Sequence, residues 1–164
     1  MIDYVNDYDY KFDFDEIKLI EELTKATMDE LDCPYDVYVT VSVVDPDMIQ
    51  KINNEFREID AVTDVLSFPM CEYDDPGVFE GDIFDETMET DPDTDELLLG
   101  DVVLCYDRVI SQAKEYGHSE KREFAFLVVH SLLHLCGFDH IEDADRVLME
   151  EKQKLILDRV NITR

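Results

Sequence analysis

Three of the four histidines in this 164-residue chain lie together in HSLLHLCGFDH, residues 130–140, spaced His-x3-His-x5-His. In a helix, residues four apart share one face, so His130 and His134 can turn their imidazoles to a single ion. Gly137 can then adopt a left-handed conformation and turn the chain back, which lets His140 join from beyond the helix end. Three neutral nitrogens with one open position suit a catalytic zinc, because structural zinc sites close all four positions. The plainer reading makes His130 and His134 hydrogen-bonded polar breaks in a buried helix, which suits a lone histidine better than a set of three.

The spacing matches zinc proteases of the H-E-x-x-H-x-x-G-x-x-H kind, except that Ser131 stands where glutamate is needed. A protease uses that carboxylate to take a proton from water and to protonate a poor leaving amine, and a serine hydroxyl does neither at neutral pH. A phosphodiester asks for less, since a metal and a nearby cation can stabilise the charge that builds on its oxygens. Ser131 therefore points away from peptides and towards phosphate esters. Such a cation is available in INNEFREIDAVTDVLSFP (52–69), where Arg57 has only Lys51 as a basic neighbour. Its guanidinium can grip a phosphate through two parallel hydrogen bonds, or form a surface ion pair with Glu58 or Asp60. Asp139 can orient an imidazole or serve only as a turn residue after Gly-Phe, and His118 reads as a surface or capping residue.

The elements that must position these groups are legible in the pattern of the chain. IDYVN (2–6), DVYVTVSVV (36–44) and DVLSF (64–68) read as strands, the last stopped by Pro69. LLLGDVVLCY (97–106) reads as a fourth, interrupted at Gly100 and Asp101. An amphipathic helix is expected over 14–31, with Ile17, Ile20, Leu23, Ala26 and Thr27 on one stripe. Others are expected over 45–56, capped by Asp45 with Pro46 in the first position, over 107–116 ending at Gly117, and over 142–159. The apolar helix EFAFLVVHSLLHLC, opened by Ser119 and ended at Gly137, carries the histidines. This order predicts an α/β (α+β) fold, a small mixed sheet of about four strands packed with about five helices, one of them a zincin-like metal helix.

Forty-five per cent hydrophobic residues suffice for one core, and residues 1–164 are read as one domain. The net charge of −28 argues, taken alone, against a polyanionic partner. Twelve of the 42 acidic residues fall between 71 and 98, without one Lys or Arg, so much of the excess sits in an acidic loop insert that need not face the site. Cys33, Cys71, Cys105 and Cys136 form no C-x-x-C pair and read as reduced core thiols. With no apolar run of ~18 residues and an acidic N-terminus, the chain reads as soluble and cytoplasmic.

The motifs N-x-x-F-R-x-x-D-x-x-T-D-V-L-S-F at 53–68, L-G-D-V-V-L at 99–104 and H-S-L-L-H-L-C-G-F-D-H at 130–140 resemble, in order and spacing, the YbeY family of bacterial endoribonucleases, the rRNA maturation factors. The resemblance extends over most of the chain. It implies one zinc ion held by His130, His134 and His140, with Arg57 reaching into the same cleft, and makes Arg57 and His134 the residues expected to carry catalysis. It also implies cleavage of single-stranded RNA in 16S rRNA 3′-end maturation and ribosome quality control. Small-subunit ribosomal proteins and an Era-type GTPase are the implied contacts, with neither DNA nor membrane among them. Ser131 replaces the family's usual glycine, Phe138 its frequent tyrosine, and the acidic insert has no counterpart.

Two other readings are open to the sequence. Ser131 disfavours a zincin-type hydrolase, whereas the −28 charge favours a ribosome-assembly binding factor whose metal is structural. For a nuclease, no carboxylate or histidine outside the cluster is evidently placed to deprotonate an RNA 2′-hydroxyl, so metal-activated water is the favoured nucleophile.

Overall fold

The computed structural model of the protein describes residues 1–7, 11–79 and 89–163. Four β-rich segments pair into one mixed sheet: β1 (Ile2–Asn6), β2 (Val37–Val44), β3 (Val65–Pro69) and β4 (Leu97–Cys105), in the order β1-β2-β4-β3. β1, β2 and β4 are parallel, and β3 runs antiparallel along the edge of β4. Five helices accompany the sheet: α1 (Glu16–Glu30), α2 (Pro46–Arg57), α3 (Tyr106–Tyr116), α4 (Glu120–Leu135) and α5 (Asp143–Arg159). This is the α/β fold expected, with its four strands and five helices.

The period of two along the strands divides the core. Val39, Val41, Val43, Val102 and Leu104 join the main cluster with residues of α1, α4 and α5, while Val44, Val103, Cys105 and Leu66 form a smaller cluster with Ile49 of α2. Helix α4 lies against α1, α3, α5, β3 and β4. A helix so enclosed is apolar nearly all round, which is why its polar positions are few and each must be satisfied locally. Its start is fixed by Ser119, whose hydroxyl accepts the Arg122 N–H, as Asp15 and Asp45 do for the N–H groups of Lys18 and Met48 at α1 and α2.

Several local expectations are revised. β4 is not interrupted at Gly100 and Asp101; it runs through them with a bulge, because Leu98 faces Tyr38 and Gly100 faces Val39, leaving Leu99 as the extra residue. A Cβ at Gly100 would lie 2.1 Å from the Phe68 carbonyl oxygen, so only glycine lets β3 close upon β4 here. Pro69 is the last residue of β3, tolerable because β3 is an edge strand. Ile17 is exposed, and Leu19 takes its place in the stripe of α1.

The stretch 71–98 is not one acidic loop. Residues 80–88 lie outside the described residues, but both flanks belong to the fold: Cys71 is buried, Gly77 N–H donates to the Cys136 carbonyl at 2.8 Å, and Leu97 and Leu98 already lie in β4. All four cysteines are free thiols, three of them buried.

Candidate metal centre

Helix α4 ends two residues before the glycine that the sequence singles out. Gly137 has φ 91°, its N–H donates to His134 O at 3.0 Å, and the Phe138 N–H donates to Leu133 O at 3.0 Å. These are the paired bonds of a Schellman turn, and buried Phe138 anchors the reversal. The turn returns His140 to the face bearing His130 and His134, so one ligand-capable atom from each lies within 4.8 Å of the others. Ring centroids are 4.6, 5.5 and 5.1 Å apart for the 130–134, 130–140 and 134–140 pairs. His130 and His134 are half-buried, while His140 is exposed.

The groups around the rings are those a cation site needs. His134 Nδ1 lies 2.9 Å from the Phe138 carbonyl oxygen, an acceptor only, so this nitrogen carries the proton and Nε2 keeps its lone pair. Gln153, a residue of α5 only 4% exposed, lines the same cavity as His130 and opposes the lowering of its pKa. Gln153 Nε2 donates to the Phe126 carbonyl at 3.1 Å, which leaves its oxygen as a free acceptor for a ring N–H of His130. The two Nε2 atoms of His130 and His134 then face each other at 3.1 Å. Burial and the neighbouring imidazoles push His130 down to about 4, and burial lowers His134 against the opposing pull of the Phe138 carbonyl. His134 therefore offers a lone pair at this meeting point, and His130 protonated on Nδ1 offers a second, so the pair can share a metal ion with an accepting group behind each ring.

Ser131 is fully buried and its hydroxyl has no partner among the described residues, so this position faces the core rather than the imidazoles. Asp139 Oδ1 accepts the His140 backbone N–H at 2.6 Å and lies 3.7 Å from His140 Nδ1, so it shapes the turn and stands beside the ring at once.

Arg57 closes α2, where Glu58 takes a left-handed conformation and the Asn53 side chain donates to Ala61 O at 2.9 Å, clamping the loop into β3. The arginine is exposed and, among the described residues, has no ion pair: Asp60 instead accepts from Gln50 Nε2 at 2.9 Å. Its positive charge reaches His134 and adds to the lowering of that imidazole. The structure thus brings the three histidines together and sets Arg57 within electrostatic reach.

Two side chains were not singled out by sequence reasoning, and a third was read incompletely. Gln153 gave no signal beyond being polar on an amphipathic helix. Asp64, from the T-D-V-L-S-F motif, lines a cavity of about 200 Å³ together with His130 and His140. His118 caps α3, its N–H donating to Ala113 O at 3.0 Å, but its side chain is not a surface group: Nε2 lies 2.6 Å from Oε2 of Glu123, a carboxylate 2% exposed.

Fold and cluster together define an α/β protein whose central helix and its C-terminal turn assemble an H-x3-H-x5-H imidazole triad. Comparison with known proteins narrows that class. The model of the family "Endoribonuclease YbeY" matches residues 4–161. An endoribonuclease YbeY of Lachnoclostridium phytofermentans is 50% identical over 153 residues, 93% of each chain, and one of Agathobacter rectalis is 47% identical over the same shares. The solution structure of TM1509 from Thermotoga maritima superposes with a TM-score of 0.58 at 28% identity, covering 98% of this chain and 92% of that one. The chain belongs to the endoribonuclease YbeY family.

Proposed function

We propose that this protein is a zinc-dependent endoribonuclease that cuts single-stranded RNA in the cytoplasm, in 16S rRNA 3′-end maturation and ribosome quality control. The observation that carries this reading is the meeting of two imidazole Nε2 atoms at 3.1 Å, with a third imidazole beside them. His130, His134 and His140 would hold one divalent ion, and three imidazoles suit zinc. Such an ion supplies Lewis acidity towards a phosphoryl oxygen and a lowered pKa for water. The Phe138 carbonyl keeps His134 in the tautomer that leaves Nε2 free, and the Gln153 oxygen would do the same for His130. Arg57, without an ion-pair partner among the described residues, grips the phosphate and offsets the charge that develops on it. Buried Ser131 offers nothing to a leaving amine, which favours phosphodiesters over peptides as substrate.

Small-subunit ribosomal proteins and an Era-type GTPase are the proposed partners, on the strength of the family resemblance. Among the described residues no helix is long and apolar enough to cross a membrane. The charge of −28 favours one second reading, a ribosome-assembly binding factor with a structural metal. Metal-loaded protein assayed on single-stranded RNA beside His134→Ala separates the two. Cleavage that His134→Ala loses supports the nuclease; RNA binding without cleavage by the metal-loaded wild type supports the binding factor.

A further inference from the structure

Beside the imidazoles, between α4, α5 and the start of β3, lies the cavity of about 200 Å³ that Asp64 and His130 line. It is smaller than the ~300–1,000 Å³ of sites for drug-sized ligands, so it admits one planar ring system rather than a folded stretch of chain. Leu127 and Met149 give it an apolar floor, and the ring of Phe126 forms one wall. Phe126 is 37% exposed on a helix that is otherwise almost wholly enclosed, and its ring runs nearly parallel to His130, at 14° with centroids 6.4 Å apart. An aromatic face left open to solvent beside a phosphate-handling site is what single-stranded RNA recognition uses to stack an unpaired base.

The polar groups of the cavity say which bases fit. Asp64 and Glu150, both acceptors when ionised, line it, and its charged donor, Arg146, gives Nη2 to Asp143 at 2.8 Å. Asp64 is fixed in place: Oδ1 accepts the Val65 N–H at 2.8 Å, and Oδ2 takes a long 3.4 Å contact from Gln112 Nε2. Gln112 Nε2 is held in turn at 2.8 Å by Oε1 of buried Glu123, whose other oxygen meets His118. This chain, anchored on buried Glu123, orients a half-buried carboxylate whose Oδ2 retains acceptor capacity. Carboxylates accept from exocyclic amino groups, as they do from cytosine N4.

Resting on the endoribonuclease reading above, we propose that this cavity is a nucleobase subsite for the nucleotide next to the scissile phosphate. The base stacks on Phe126 and donates an exocyclic amino group to Asp64. Adenine, cytosine and guanine offer the carboxylate an amino group; uracil offers only its N3–H, flanked by two carbonyl oxygens that repel the carboxylate, and is disfavoured.

The test uses metal-loaded protein and a single-stranded oligoribonucleotide with one mapped cleavage position, in which each flanking base is removed in turn or replaced by uracil. For the wild type, one of the two abasic substrates should lose roughly 5- to 150-fold in kcat/KM, the range of one stacked base. Phe126→Ala should lose a similar factor on the intact RNA and then be indifferent to that abasic site, and Phe126→Tyr should restore both. Uracil at the same position should be disfavoured by the wild type and no longer so by Asp64→Asn, whose amide can donate to a uracil carbonyl. Equal relative losses from the abasic site in wild type and Phe126→Ala would overturn the subsite. A second arm needs no turnover: trinucleotides carrying 2-aminopurine at each position in turn should show quenching at one position with wild type and none with Phe126→Ala. Absence of cleavage with quenching retained would defeat the nuclease reading and leave the subsite standing, whereas absence of quenching with the wild type would overturn the subsite.

Discussion

Gln153→Leu should loosen the metal centre without touching any ligand. In the wild type the side chain is 4% exposed, ties α5 to α4 through the Phe126 carbonyl at 3.1 Å, and leaves its oxygen as an acceptor for His130, whose lowered pKa it opposes. Leucine fills a similar volume but does neither. Loss of the partner frees the His130 ring to rotate or to take the other tautomer, and such changes typically weaken metal binding 10- to 100-fold. That factor corresponds to about 1.4–2.7 kcal/mol. Loss of the helix-to-helix bond should separately cost the metal-free protein about 1 kcal/mol, a fall of roughly 2–4 °C in Tm for a chain of this size. Competition with a chromophoric chelator gives the zinc Kd, and thermal melts of the metal-free protein give the second figure. Gln153→Glu keeps an acceptor behind the ring and should retain most of the affinity even though it introduces a buried charge. Unchanged zinc affinity in Gln153→Leu, or equal loss in both variants, would refute the role assigned to this residue.

Arg57→Glu should abolish RNA cleavage while zinc content and Tm stay near wild type, because the guanidinium has no ion pair among the described residues to lose; parallel loss of stability and activity would make it structural. Metal-free protein should lose stability as pH falls. An unfolded imidazole has the ordinary pKa of 6.5 and His130 is held down to about 4, so between these values the unfolded chain takes up a proton that the folded chain refuses. The cost through His130 is on the order of 3 kcal/mol below that window, read by urea titration, and a flat profile from pH 7 to pH 4 would contradict the burial argument. Neutralising Glu80, Asp82, Asp85 and Glu86 with amides should tighten RNA binding and steepen its salt dependence, provided they lie within the ~8 Å Debye length of the RNA path. Unchanged affinity would place that charge away from the RNA.

Signals confined to a few neighbouring residues were legible in the sequence. The strand at Ile2–Asn6, the Asp45–Pro46 start of α2, the Ser119 cap and the Gly137 turn each depend on local chemistry, and the structure has them where the pattern put them. The histidine triad was legible for the same reason, since helix periodicity and one glycine suffice to bring the rings together. Contacts between distant residues were not. Gln153 reaches Phe126 across 27 positions and Gln112 reaches Asp64 across 48, and nothing in either neighbourhood marks the partner. His118 looked like a helix-end residue because its partner, Glu123, resembled an ordinary acidic residue in the first turn of α4, yet that carboxylate is buried. The supposed break at Gly100 shows the same limit, because the glycine answers the backbone of β3, some thirty residues earlier in the chain.

The most direct test of the central claim is a zinc titration of metal-free protein in which each sample is read twice, for bound metal and for the rate of cleavage of single-stranded RNA. Cleavage should rise in proportion to bound zinc and level off at one ion per chain, while His134→Ala given the same zinc should neither retain it nor cut. Cleavage by metal-free protein or by His134→Ala, or one tightly bound ion with no cleavage at all, would contradict the account.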